Sequence, residues 1–184
     1  MRRTENDCLG RLGPDAIRQA QESPHETGIA IRDLELNMKI VAFLQNMWVR
    51  DPERLKLAIE RDGEELRIRM IEYALFAGCI TGRRLKSAFG ELCEEIVWEE
   101  TTREIAGNPK TIFPAQPEHI KAVLEKYKPD VVLTFGKIAA NSVRPLWGGQ
   151  ILCIPHPAAR QPETIQRLAD AARELKTMIC PLTY

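Results

Sequence analysis

The run Met38-Lys39-Ile40-Val41-Ala42-Phe43-Leu44 decides the fold. Six of its seven residues are apolar, and it is no longer than a strand. A near-continuous apolar run of that length marks a central parallel strand buried on both faces. Polarity then returns abruptly at Gln45-Asn46, followed by Met47-Trp48, so the chain leaves the core at a defined point.

Downstream, strands and helices alternate. Asp51-Pro52-Glu53 is a helix start, with Asp as N-cap and Pro in the first turn. Gly63 separates that helix from a second one, Glu64 to about Phe76. There Leu66, Met70 and Tyr73 share one face and Ile68, Ile71 and Leu75 another, as expected of a helix sandwiched in the core. Thr81 is read as the N-cap of a third helix ending near Phe89-Gly90. A short strand is expected over Glu95–Glu99. Pro117 starts a helix with Ile120, Val123, Leu124 and Tyr127 on one face. Asp130–Phe135 reads as a buried strand, Gly136-Lys137 as the turn into a helix over 138–143, and Ile151–Ile154 as a fourth strand. The last helix, Pro162 to about Ile179, would turn Ile165, Leu168, Ala172, Leu175 and Ile179 inward. The expected fold is a three-layer α/β/α domain over residues 38–184 with a mostly parallel four-stranded sheet. Residues 1–37, polar and punctuated by Gly and Pro, read as an N-terminal extension.

Composition narrows the function. The chain has 184 residues, 44% of them hydrophobic, enough for one substantial core. Lys plus Arg equal Asp plus Glu at 26 each, so attraction to nucleic acid would need a local basic patch. No apolar stretch approaches a membrane span, and the first residues lack the apolar centre of a signal peptide, which points to the cytoplasm. The five cysteines are scattered, with no Cys-x-x-Cys pair; reduced, mostly buried thiols are expected, with no metal site. Gly-x-Gly-x-x-Gly and P-loop patterns are absent.

The fourth strand stops at Pro155, leaving His156 just beyond the strand end. In open parallel sheets, ligands bind where strands end and helices begin, so His156 stands where a site is expected.

Four pieces, in this order, carry a resemblance. They are Leu44-Gln45-Asn46-Met47; Phe76-Ala77-Gly78 with Gly82-Arg83-Arg84-Leu85; Leu133 to Ala139, containing Gly136-Lys137; and His156-Pro157-Ala158-Ala159. Together they resemble the uracil-DNA glycosylase superfamily over most of residues 38–179. The resemblance implies hydrolysis of the N-glycosidic bond of a flipped uracil or other deaminated base, with DNA or a nucleotide as partner, no cofactor, and a monomeric protein. Such chemistry needs the base out of the stack, a donor for the charge that develops on it, and a positioned water.

By the resemblance, His156 donates to the leaving base and Asn46 orients the water. An amide cannot take the water's proton, so a slow enzyme is implied. Gln45 would bond the base, Phe76 would stack on it, and Trp48 would exclude a 5-methyl group. Arg160 falls where members insert a side chain into the duplex, while Lys137, Arg83 and Arg84 could meet phosphates. The whole arrangement requires the ends of the first and last core strands to lie side by side.

Two departures stand out. The strand ending near Glu99-Glu100 should offer an Asn to the base; Glu99 takes that place, and an ionised carboxylate only accepts. The cysteines of the iron-sulfur branch are missing, so no cluster is expected. Two other readings remain: a non-catalytic member that binds a nucleotide or nucleic acid, and a thiol hydrolase with Cys153 as nucleophile and His156 as base, which lacks a Gly-x-Cys-x-Gly elbow.

Overall fold

A computed structural model describes residues 38–76 and 79–179. The extension over 1–37, the Ala77-Gly78 step and Cys8 and Cys180 lie outside the described residues. Within them the chain runs β1 (Ile40–Leu44), α1 (Pro52–Asp62), α2 (Glu64–Phe76), α3 (Ile80–Phe89), α4 (Leu92–Glu95), β2 (Ile96–Glu100), α5 (Pro117–Tyr127), β3 (Val131–Phe135), α6 (Lys137–Val143), β4 (Gln150–Ile154) and α7 (Thr164–Ile179). The four strands are all parallel, in the order β2-β1-β3-β4. The domain is the expected three-layer α/β/α sandwich.

Every residue of β1 is buried, as its apolar run requires of a strand covered on both sides. Alternation divides the strands between two cores. Ile40, Ala42, Leu44, Trp98, Leu133, Phe135 and Leu152 join the core built with α1, α2, α3 and α7, whereas Val41, Phe43 and Val132 join Ile120, Val123 and Leu124 of α5 and Ala139 and Val143 of α6. The first core is anchored by rings: Trp98 stacks on Phe135 with centroids 5.8 Å apart, and Phe89 meets Phe135 edge-on at 6.1 Å.

The helix signals hold in their physical detail at α1, where Asp51 Oδ1 accepts the Arg54 N–H, Pro52 stands in the first turn and Gly63 follows the helix with φ +85°. Elsewhere the structure corrects the sequence reading. The N-cap of α3 is Cys79, not Thr81: its Sγ accepts from the Gly82 N–H at 3.2 Å and donates to the Leu75 carbonyl at 3.3 Å. Gly82 can therefore sit against α2 where a Cβ would lie 1.5 Å from the Leu75 oxygen. In α7, which begins two residues later than Pro162 suggested, Thr164 is buried and Ile165 is 60% exposed, because the inward stripe runs through Thr164, Leu168, Ala171, Ala172 and Leu175. Most consequential is β2, which begins at Ile96 and extends to Glu100, after the single turn α4 has used Glu95.

Candidate functional site

All four strands point their carboxyl ends at one edge of the sheet. Leu44 is level with Glu100 across β1 and β2, and Phe135 with Ile154 across β3 and β4. Above that edge lies a cleft of about 270 Å³ whose lining includes Gln45, Asn46, Trp48, Glu100, Thr111 and His156. Such a space exceeds the roughly 150 Å³ that admits a benzene ring, so a small planar ligand fits. Its apolar wall comes from Ile71, Ala74 and Leu75 of α2.

The first and last core strands do not lie side by side: β3 stands between β1 and β4. Asn46 and His156 nevertheless line the same cleft. Gly136 permits this. It closes β3 with φ +94°, and a Cβ there would come 3.3 Å from the His156 Cβ; a side chain at this place would obstruct the loop after β4. The Gly136 N–H donates to the Ile154 carbonyl at 2.8 Å, tying the two strand ends together.

His156 is held by its own loop. Its Nδ1 accepts the Ala158 N–H at 3.1 Å and its carbonyl accepts the Ala159 N–H, so in the neutral ring the proton resides on Nε2. Burial pushes its pKa below the ordinary histidine value; the neutral imidazole is a donor, not a charge. Arg84 braces the loop from α3, donating to the Pro157 carbonyl at 2.6 Å and the Ala159 carbonyl at 2.8 Å. Those bonds occupy its Nη1, so this side chain, read from sequence as a phosphate contact, positions the loop that carries His156.

Asn46 is held by its two sequence neighbours and by the segment that carries Thr111 and Phe113. Its Nδ2 donates to the Met47 and Thr111 carbonyls, each at 3.3 Å, and its Oδ1 accepts from Gln45 Nε2 and the Phe113 N–H, each at 3.4 Å. Bonds of that length are weak, so the carboxamide is positioned without being locked. The backbone beneath it is stitched to β2: Thr101 Oγ1 donates to the Gln45 carbonyl at 2.7 Å, and the Thr101 N–H to that of Leu44.

Other expected site residues lie elsewhere. Phe76 is absent from the cleft lining; its ring meets Trp98 edge-on at 5.9 Å, with Lys86 Nζ 5.1 Å from its centroid. Glu99 is on the opposite face of β2 from the cleft. It is 2% exposed, and Arg67 Nη2 donates to its Oε2 at 2.5 Å while Arg67 Nε donates to Glu64 at 2.7 Å. His119 Nε2 stands 3.8 Å from Glu99 Oε2, and burial and the nearby Arg67 and Arg103 hold its pKa down to about 4. Lys137, Arg160 and Arg83 are exposed. Cys153 is exposed on β4, with Arg144 Nη2 3.3 Å from its sulfur, and does not line the cleft.

Glu100 takes the place expected of Glu99. Successive strand residues face opposite ways, so a one-residue shift in the end of β2 exchanges the two carboxyls. Glu100 is 6% exposed, its Oε2 has no hydrogen-bond partner among the described residues, and burial pushes its pKa up to about 8. At neutral pH it is a carboxylic acid, able to donate and accept at once. The sequence reading also missed Thr111 and Ile112, whose approach to the cleft is a long-range contact with no local signal. Among the described residues, no group of His, Cys, Asp and Glu is placed to hold a metal ion, and no helix is long and apolar enough to cross a membrane.

No family model matches this chain. A search of curated proteins likewise finds no match. The functional reading therefore rests on the cleft itself. It presents neutral hydrogen-bonding groups, an imidazole, two carboxamides and a carboxylic acid, against an apolar wall. That set suits a flat, uncharged, polar ligand.

Proposed function

We propose that this chain is a DNA glycosylase-like protein that receives a flipped base, uracil or another deaminated one, and hydrolyses its N-glycosidic bond. The observation that carries the reading is the convergence of Asn46 and His156 on one cleft, although 110 residues of sequence separate them. In this mechanism His156 Nε2–H donates to the base oxygen as negative charge builds there, in a site partly shielded from water. Asn46 orients the attacking water, Gln45 bonds the base and Trp48 limits the substituents that enter beside it. Lys137, Arg160 and Arg83 meet the DNA backbone. On this reading the protein works as a monomer in the cytoplasm and needs no cofactor.

Incubation with oligonucleotides bearing uracil or hypoxanthine, followed by alkali, tests the proposal. Strand scission that disappears in His156→Ala is expected; no scission with either base at enzyme excess refutes it. A second reading is a weak or inactive member that binds a nucleotide or nucleic acid without cleaving it. It is favoured by the protonation of Glu100 and the amide at Asn46, which leave the cleft without an ionised carboxylate to act as base. Binding to single strands that is unchanged in His156→Ala, without scission, would select it.

A further inference from the structure

We infer that Glu100 determines the specificity of the cleft by pairing, as a neutral acid, with a planar ligand edge that carries one hydrogen-bond donor beside one acceptor, as a lactam or amidine does. The inference rests on the cleft being the ligand site argued above, and it does not require bond cleavage.

A buried carboxyl oxygen without a partner is uncommon enough to need a reason. Oε2 of Glu100 is such an atom, in a residue that lines the cleft. Arg67, the cation that acts on its ionisation, makes its own bonds elsewhere, Nε to Glu64 and Nη2 to Glu99. The wall beside it, Ile71, Ala74 and Leu75, offers no polar side chain. Its partner must come from what enters the cleft, and a ligand edge of the right pattern meets that need. A protonated carboxyl presents an O–H and a C=O about as far apart as the N–H and C=O of a lactam, so the two close a pair of hydrogen bonds. An ionised carboxylate presents two acceptors, and would face a lactam oxygen with repulsion.

The inference therefore predicts pH-dependent binding. Around Glu100 the groups that act on its ionisation are Arg67 of α2, which opposes protonation, and Glu99, which favours it. His119 of α5 and His156 across the cleft are both held neutral by burial. Burial dominates, so loss of the proton falls near pH 8.

The test is calorimetric titration of the full chain with deoxyuridine and with its N3-methyl derivative, which keeps the carbonyls and loses the donor. Wild type should bind deoxyuridine about sevenfold more weakly at pH 8.8 than at pH 6.5, in line with a group titrating near 8. Glu100→Gln, which presents a donor and an acceptor at every pH, should bind with no such slope beyond the probe's own titration. N3-methylation should weaken binding to wild type about tenfold, the effect of leaving one buried acceptor unpaired. The inference is overturned if deoxyuridine does not bind at millimolar concentration, if Glu100→Gln retains the wild-type slope, or if the methylated compound binds equally well. Should Glu100→Gln fail to fold, the wild-type slope and the methylation effect still decide. Binding as expected with no scission of uracil-bearing oligonucleotides would remove the glycosylase reading and leave this one standing.

Discussion

Glu99 and Glu100 are neighbours in sequence and lie on opposite faces of β2, one ion-paired with Arg67 and the other facing the cleft without a partner. Two carboxyls a single residue apart thus have different states: the first is neutralised by a buried cation, the second by its own proton.

Stability should reflect that proton. Glu100 has a pKa raised from 4.5 to about 8 in the fold, so between those values the folded chain binds more protons than the unfolded one and stability falls as pH rises. His119 and His156 act in the opposite sense below pH 6.5, since both are held neutral. The window that isolates Glu100 is therefore pH 7 to 8.5. Wild type should lose roughly 1 kcal/mol across it, a drop in Tm of about 2–4 °C. Thermal melts of Glu100→Gln should show a flatter profile; an equal slope in both proteins would contradict the assignment.

Arg67→Met should be severe. It leaves the Glu99 carboxylate buried without its cation, which costs about 3–5 kcal/mol. Adding Glu99→Gln should recover much of that loss. Denaturant unfolding of the two single variants and the double variant measures the coupling, and simple additivity would show that the two side chains do not act as a pair.

Gly136→Ala tests how the cleft is assembled. The new methyl would sit at φ +94° and meet the His156 Cβ at 3.3 Å, so a loss of about 1–3 kcal/mol is expected from backbone strain alone. The imidazole must also shift, and its NMR titration should move with it. A variant with wild-type stability and an unchanged His156 resonance would refute the close approach.

Arg84→Ala removes two donors to the Pro157 and Ala159 carbonyls. Charge-assisted bonds of this kind are worth about 1.5–3 kcal/mol each at most. The loop after β4 should exchange its amide hydrogens faster while the core strands stay protected, and any scission activity should fall more than global stability does. Protection of the Ala158 and Ala159 amides equal to wild type would count against the bracing role.

The fold was legible where a local rule had one solution. A run such as Ile40–Leu44 has nowhere to go but the middle of a parallel sheet, and Asp51-Pro52, Gly63 and Pro117 punctuate helices by their own stereochemistry. His156, Asn46, Gln45 and Trp48 were legible because strand ends in such sheets meet at one edge. What could not be read depended on framing or on distance. Glu100 replaced Glu99 because the single turn Leu92–Glu95 displaced β2 by one residue, and nothing in Leu-Cys-Glu-Glu announces a turn. Ile165 was assigned to the core because it stands three residues before Leu168, but Thr164, four before, leads the buried stripe. Phe76 had the right residue type, but its ring found Trp98, a partner 22 positions away. Arg84 looked like a surface cation until the His-Pro loop folded back over it.

The carboxamide of Asn46 is at once a tether and a tool. Two of its four long bonds hold it to its neighbours Gln45 and Met47, and two join the end of β1 to the segment that carries Thr111 and Phe113, so a guest that recruits this amide must draw it away from some of them. Occupancy and release of that segment are then two readings of one event, and an arriving guest would announce itself by loosening backbone on the cleft's rim.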